Sequence, residues 1–119
     1  MVHFGCFDPH FNRIGWPFIA DQPANIAYLT HTADVAFTLY EVRDGESGLK
    51  PIRSTGKTPT GTLDAFKEEL KTLLNDIKGP VGARKRHNVG QKQVQLAKSW
   101  VEGGSARKAF EAFCAQYGL

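Results

Sequence analysis

The stretch Thr62-Leu63-Asp64-Ala65-Phe66-Lys67-Glu68-Glu69-Leu70-Lys71-Thr72-Leu73-Leu74-Asn75-Asp76-Ile77-Lys78-Gly79-Pro80 decides the architecture. Its apolar residues, Leu63, Phe66, Leu70, Leu73, Leu74 and Ile77, return every three or four positions and share one face of a helix from about Leu63 to Ile77. Thr62 can cap its start, Asp64 sits in the first turn where the helix dipole favours an anion, and Gly79-Pro80 is a stop signal. Such a helix needs an apolar surface to lie on. The sequence upstream supplies it.

Val2 to Cys6 alternate in character up to the Asp8-Pro9 turn, which reads as a short strand. Asn25 to Leu29 and Ala36 to Val42 are rich in β-branched and aromatic types and read as strands as well. Asp44-Gly45-Glu46-Ser47-Gly48 carries turn chemistry, so Leu49 to Ser54 is expected to return as the second arm of a hairpin. Downstream, residues 79–90 read as a Gly-containing basic connection. A helix is expected over 91–102, burying Val94, Ala97, Trp100 and Val101, and Gly103-Gly104 breaks it. Ser105 then caps a last helix to about Tyr117, with Ala109, Phe110, Phe113 and Tyr117 on its apolar side. The expected fold class is α+β: a small antiparallel sheet packed by an amphipathic helix, followed by a C-terminal helical pair. All 119 residues are expected to form a single domain, with 1–79 as sheet plus long helix and 80–119 as basic arm plus helical pair.

Composition sets the outer bounds. At 41% apolar residues, with eight Phe, three Tyr and two Trp, the chain has enough to bury for a folded core. A chain this long buries roughly two thirds of its unfolded surface without metal or disulfide staples. No apolar run approaches the ~20 residues that cross a bilayer, and the N-terminus lacks the features of a secretory signal, so no membrane association and a cytoplasmic location are expected. Cys6 and Cys114 form no CxxC pair and read as free thiols.

The net charge of +3 hides an uneven distribution: residues 1–79 carry 8 Lys/Arg against 10 Asp/Glu, and residues 80–119 carry 7 against 2. A basic tail of this kind suits a polyanion, because phosphate contacts release condensed counterions. The plainer reading is a solvated face that keeps the protein soluble.

Four constellations invite a chemical reading. His3, Cys6 and His10, with Asp8 between, contain zinc-ligand types, but on a strand His3 and Cys6 point to opposite faces, so no metal site is expected. Ser54-Thr55-Gly56-Lys57-Thr58 ends like a phosphate-binding loop, yet Pro51 stands where the pattern needs its first glycine, and the helix starts too far downstream. His31 and Asp34 form no evident triad, so no catalytic residue and no cofactor are expected. Phe4, Phe7, Phe11, Trp16 and Phe18 have the types that stack on bases or grip peptides, and more simply cover a core.

The segment Lys98-Ser99-Trp100-Val101-Glu102-Gly103-Gly104-Ser105-Ala106-Arg107-Lys108-Ala109-Phe110 resembles the middle of a helix-turn-helix unit of the resolvase, transposase and homeodomain-like kind. The shared features are an apolar pair closing one helix, an acidic residue and glycine in the turn, a serine, and a helix opening with small and basic residues. Gly103-Gly104 is looser than a usual turn of that kind, and Phe110 and Phe113 are bulkier than usual. Arg107 and Lys108 lie in a first turn, where the dipole disfavours cations, a placement that groove binding would explain. The resemblance implies DNA binding, with Arg107, Lys108 and Ser105 meeting the groove, Arg84, Lys85, Arg86 and His87 running along phosphates, and Lys92 adding a further contact. The expectation is thus a small non-enzymatic DNA-binding protein, DNA being favoured over RNA as partner. The alternative is a protein-interaction module, a small inhibitor or regulator of the mobile-element type, docking on another protein.

Overall fold

The computed structural model describes residues 10–17, 22–43 and 48–118. Strand β1 (Arg13–Gly15) leads into helix α1 (Gln22–Ala27) and a π-helical turn (Tyr28–Thr32), then strand β2 (Ala36–Thr38). The rest is helical: α2 (Leu63–Lys78), α3 (Pro80–Trp100) and α4 (Ser105–Tyr117). The expected strand over Val2 to Cys6 and the turn at residues 44–47 lie outside the described residues.

The two strands pair in parallel, Arg13 with Ala36, Ile14 with Phe37 and Gly15 with Thr38. This corrects the expected antiparallel sheet. Parallel neighbours need a crossover, and α1 with the π-helical turn forms it. Asn25 to Leu29, read as a strand from composition, lie in that crossover. Pro23 falls in the first turn, where a missing N–H costs nothing, and Ile26 is buried against β1 so closely that a Cβ on Gly15 would overlap it. Tertiary packing overrides the strand preference of these residues.

β2 also ends sooner than the expected Ala36 to Val42. The Leu39 N–H donates to the Gly15 carbonyl (3.0 Å), but the next two amides, Tyr40 and Glu41, donate to the Glu69 carboxylate of α2 (2.8 and 2.9 Å). With those amides taken by a side chain, the ladder stops. The expected second hairpin arm, Leu49 to Ser54, is no strand. The Ile52 N–H donates to the Lys57 carbonyl (2.8 Å), and the Ile52 carbonyl accepts from Thr55 and Gly56, so the segment closes on itself.

α2 matches the periodicity that announced it. The Thr62 hydroxyl accepts from the Ala65 N–H (3.3 Å), and Leu73 is buried with Phe37 and Leu39. Phe66, Leu70 and Ile77 close over that cluster together with Val42 and Val81. Leu63 and Leu74, assigned to the same face, are exposed.

The largest departure comes after Gly79. Residues 79–90 are no loose connection. They open a 21-residue helix, α3, whose second half takes in the expected helix from residue 91 and ends at Trp100, short of the expected Glu102. Pro80 ends α2 because it has no N–H to donate, and the same property suits the first position of α3. Gly82 sits so near the Ile77 carbonyl that a Cβ would overlap it, so a small residue is needed where the two helices meet. The expected residues of this segment are not buried: Val94, Ala97 and Trp100 of α3 and Val101 just after it are exposed, as are Phe110, Phe113 and Tyr117 of α4. Among the described residues these two segments pack mainly on each other, with the Trp100 and Phe110 rings 6.4 Å apart. α4 starts after Gly104 with no side-chain cap, so Ser105 is the first helical residue and not the capping one.

Candidate functional site

Two places in the described fold gather polar side chains: the turn before β2, and the edge where both strands end. The first is organised by Asp34, which adopts a left-handed conformation (φ 52°) after the π-helical turn. Asp and Asn tolerate this region better than most side chains. Its carboxylate accepts from Arg84 Nε (2.7 Å), Lys85 Nζ (2.6 Å) and Asn88 Nδ2 (3.0 Å), three side chains of α3. Asn88 also donates to the Asp34 carbonyl (3.0 Å). The Arg84 hydrogen bond is the main cause that holds the Asp34 carboxyl at about 2, below its ordinary 3.8; partial burial opposes it, and Lys85 adds to it. Arg84 is in turn raised above its usual value by Asp34. Lys85 is only 5% exposed, lies 5.1 Å from the Phe37 ring centre, and also donates to the Thr30 carbonyl (3.4 Å). A buried ammonium is tolerated here because a carboxylate faces it.

This cluster gathers two of the residues expected to bind nucleic acid, Arg84 and Lys85, and pairs both with Asp34, Lys85 from a buried position and Arg84 from an exposed one. Arg86 donates to the Ile77 carbonyl (3.2 Å). His87 is exposed, and Lys92 donates to the Gln95 side chain (3.3 Å). Arg107 pairs with Glu111 (2.8 Å) one turn along α4, and Lys108 and Ser105 are exposed. Sequence reasoning missed Asp34 as an organising residue. The available signal was a carboxylate after a helical crossover matched by Arg84, Lys85 and Asn88 on one side of a helix.

The second place is the carboxyl edge of the parallel pair, where Trp16 comes after β1 and Tyr40 and Glu41 come after β2. Glu41 Oε2 accepts from the Thr60 amide (2.8 Å), the Thr60 hydroxyl (3.0 Å) and the Gly61 amide (3.0 Å), tying the 52–62 loop to the strand end. Burial works to raise the Glu41 carboxyl, and these donors outweigh it, so its pKa lies below the ordinary value. Glu69 holds the other side through the Tyr40 and Glu41 amides. Between loop and α2 lies a cavity of about 530 Å³, with Thr38, Tyr40, Lys57, Glu68, Thr72 and Asp76 in its wall. Its carboxylates and hydroxyls can pair with hydroxyl or amine groups and would repel a phosphate.

The other constellations are not assembled. The His31 ring nitrogen Nε2 and the Tyr40 hydroxyl form a hydrogen bond (3.0 Å), while Asp34 faces α3. Ser54 to Thr58 form an exposed turn, and α2 begins only at Leu63. His3 and Cys6 lie outside the described residues, and among those described no three His, Cys, Asp or Glu side chains gather as metal ligands would. Phe11 and Trp16 are exposed (68% and 53%) and do not cover the core; Phe4, Phe7 and Phe18 lie outside the described residues. Cys114 is a free thiol. No helix among the described residues is long and apolar enough to cross a membrane.

No family model and no solved structure matches the chain. Among curated proteins it is similar to a UDP-glycosyltransferase, eriJ, of Hericium erinaceus, with 32% identity over 94 residues. That alignment takes in 77% of this chain and 18% of the fungal protein, so the chain spans less than a fifth of the length of the curated relative it matches.

Proposed function

We propose that the chain forms part of a UDP-sugar-dependent glycosyltransferase and contributes the carboxyl edge of its parallel strands to the sugar-nucleotide site. The observation that carries this reading is the 32% identity over 94 residues to the Hericium erinaceus UDP-glycosyltransferase. The strand-helix-strand unit is in keeping with it, since ligands of open α/β sheets lie outside the carboxyl ends of the strands. In this reading Trp16 offers an aromatic face to a ring of the ligand, and the hydroxyls and carboxylates around Thr38, Tyr40 and Glu68 pair with sugar hydroxyls. The diphosphate lies on the β1 side of the edge, away from the α2 carboxylates.

This reading departs from the expectation of a non-enzymatic protein. DNA binding is the weaker reading, because Arg84, Lys85, Arg86 and Arg107 all have partners within the chain. The helix-turn-helix resemblance then reflects only a glycine-rich turn between two helices.

The test uses the Trp100→Phe variant, which leaves Trp16 as the sole tryptophan of the two. Titration with UDP and with UDP-glucose is expected to change Trp16 fluorescence saturably, and Trp16→Ala is expected to weaken saturation transfer to the uracil protons. No saturable change with either ligand, together with no saturation transfer in the unmodified chain, overturns the proposal.

A further inference from the structure

A groove of about 820 Å³ runs between the crossover and the far half of α3. One wall is Tyr28, Leu29, Ala33 and Val35; the other is α3 around Leu96, with Ser105 of α4 at its end. The size falls within the roughly 300–1,000 Å³ of small-molecule sites, and the walls are mainly apolar. Its polar side chains have one sign of charge. Lys92 and Lys98 both line it, and no described lining residue is a carboxylate. Asp34, next to Ala33, is turned onto Arg84, Lys85 and Asn88. Lys92 meets only the neutral Gln95 side chain, so neither ammonium has an ion-pair partner among the described residues.

We infer that this groove binds an amphiphilic carboxylate, a molecule with one extended apolar body and one carboxylate head. The body covers Tyr28, Leu29 and Leu96 over a floor formed by the already buried Val35, removing apolar surface from water. The head meets Lys92 and Lys98 at the α3 rim, where charge complementarity selects an anion over a neutral or cationic relative. The site is independent of the sugar-nucleotide reading, because it lies on the helical side of the crossover and uses none of Trp16, Tyr40 or Glu41.

The test is calorimetric titration of the full chain with decanoate, 1-decanol and decyltrimethylammonium, each below its aggregation threshold. Decanoate is expected to bind about ten-fold more tightly than either of the others, the worth of one charge-assisted contact. Lys92→Gln with Lys98→Gln is expected to erase that preference while leaving decanol binding unchanged. Leu96→Asp, at an exposed position that a folded chain tolerates, is expected to abolish binding of all three. Equal affinity for the three ligands, a preference that survives the double lysine variant, or binding that sedimentation shows to require a second copy of the chain overturns the proposal.

Discussion

The half of the molecule around Asp34 and the half beyond Val89 are built from similar ingredients and reach different ends. In the first, Phe37, Leu39 and Leu73 are buried, and the cations that accompany them on α3 are matched to a carboxylate. In the second, Val94, Trp100, Phe110 and Phe113 recur at helical spacing just as regularly, yet each is at least half exposed. Periodicity announces an apolar face, but a face is buried only where a second surface is placed against it. In this fold the strands and the crossover cover α2 and the start of α3, and they do not extend to α4. The elongated outline, 55 × 33 × 23 Å, and a radius of gyration of 17.7 Å express the same division. A compact chain of this length has a radius of about 13–14 Å.

The strongest way to break the comparison is to remove the charge that organises the first half. Asp34→Asn keeps the shape and the tolerance for a left-handed backbone, but leaves Lys85 buried without a counter-charge. A loss of about 3 kcal/mol in urea unfolding is expected. Arg84→Ala, which removes an exposed, solvent-screened partner of the same carboxylate, is expected to cost much less than Asp34→Asn in the same unfolding experiment. The Asp34 pKa is depressed from 3.8 to about 2 on folding, so its contribution is complete above pH 4 and fades as pH falls toward 2. Stability measured between pH 5 and 2 is expected to fall in the native chain and to fall less in Asp34→Asn. Equal slopes would show that the carboxylate is not the stabilising group.

Leucine truncation tests the contrast between covered and uncovered faces. Leu73→Ala is expected to cost about 3 kcal/mol, and Leu96→Ala no more than about 1 kcal/mol, by thermal or urea unfolding. Similar losses at the two sites would mean that the far half is covered in solution.

The smallest contrast concerns helix starts. Thr62→Ala removes a hydroxyl that accepts from the Ala65 amide and is expected to cost about 1 kcal/mol. Ser105→Ala removes no such bond and is expected to change stability by less than about 0.5 kcal/mol. Amide exchange in the first turns of α2 and α4 reads this difference directly.

The legible elements are those whose signals are local. α2 was readable because its cap, its apolar repeat and its stop all lie within Thr62 to Pro80. The extent of α4 was readable for similar reasons, although Ser105 was assigned one position too early, as cap instead of first residue. The sheet was not readable, because a parallel pair is specified by contacts between Arg13 to Gly15 and Ala36 to Thr38, far apart in sequence. Composition spoke for strand at Asn25 to Leu29, where the packing of Ile26 on Gly15 required helix. Gly79-Pro80 ended one helix as read, but the residue that forbids continuation also favours a new start. The candidate site was hidden for a related reason. Glu41, Glu69 and Asp34 act through backbone amides and through residues up to 54 positions away, and nothing in their immediate neighbours marks them.

The joint at Gly79-Pro80 makes the fold sensitive to counting as well as to chemistry. Each residue added to a helix rotates every later side chain by about 100° around its axis. One extra residue between Pro80 and Arg84 would therefore swing the side chains that clasp Asp34 a quarter turn or more around the rod, without altering a single one of them. The elbow thus works as a phase setting, and insertions there should be far less forgiving than insertions in the 52–62 loop, whose length sets no angular register.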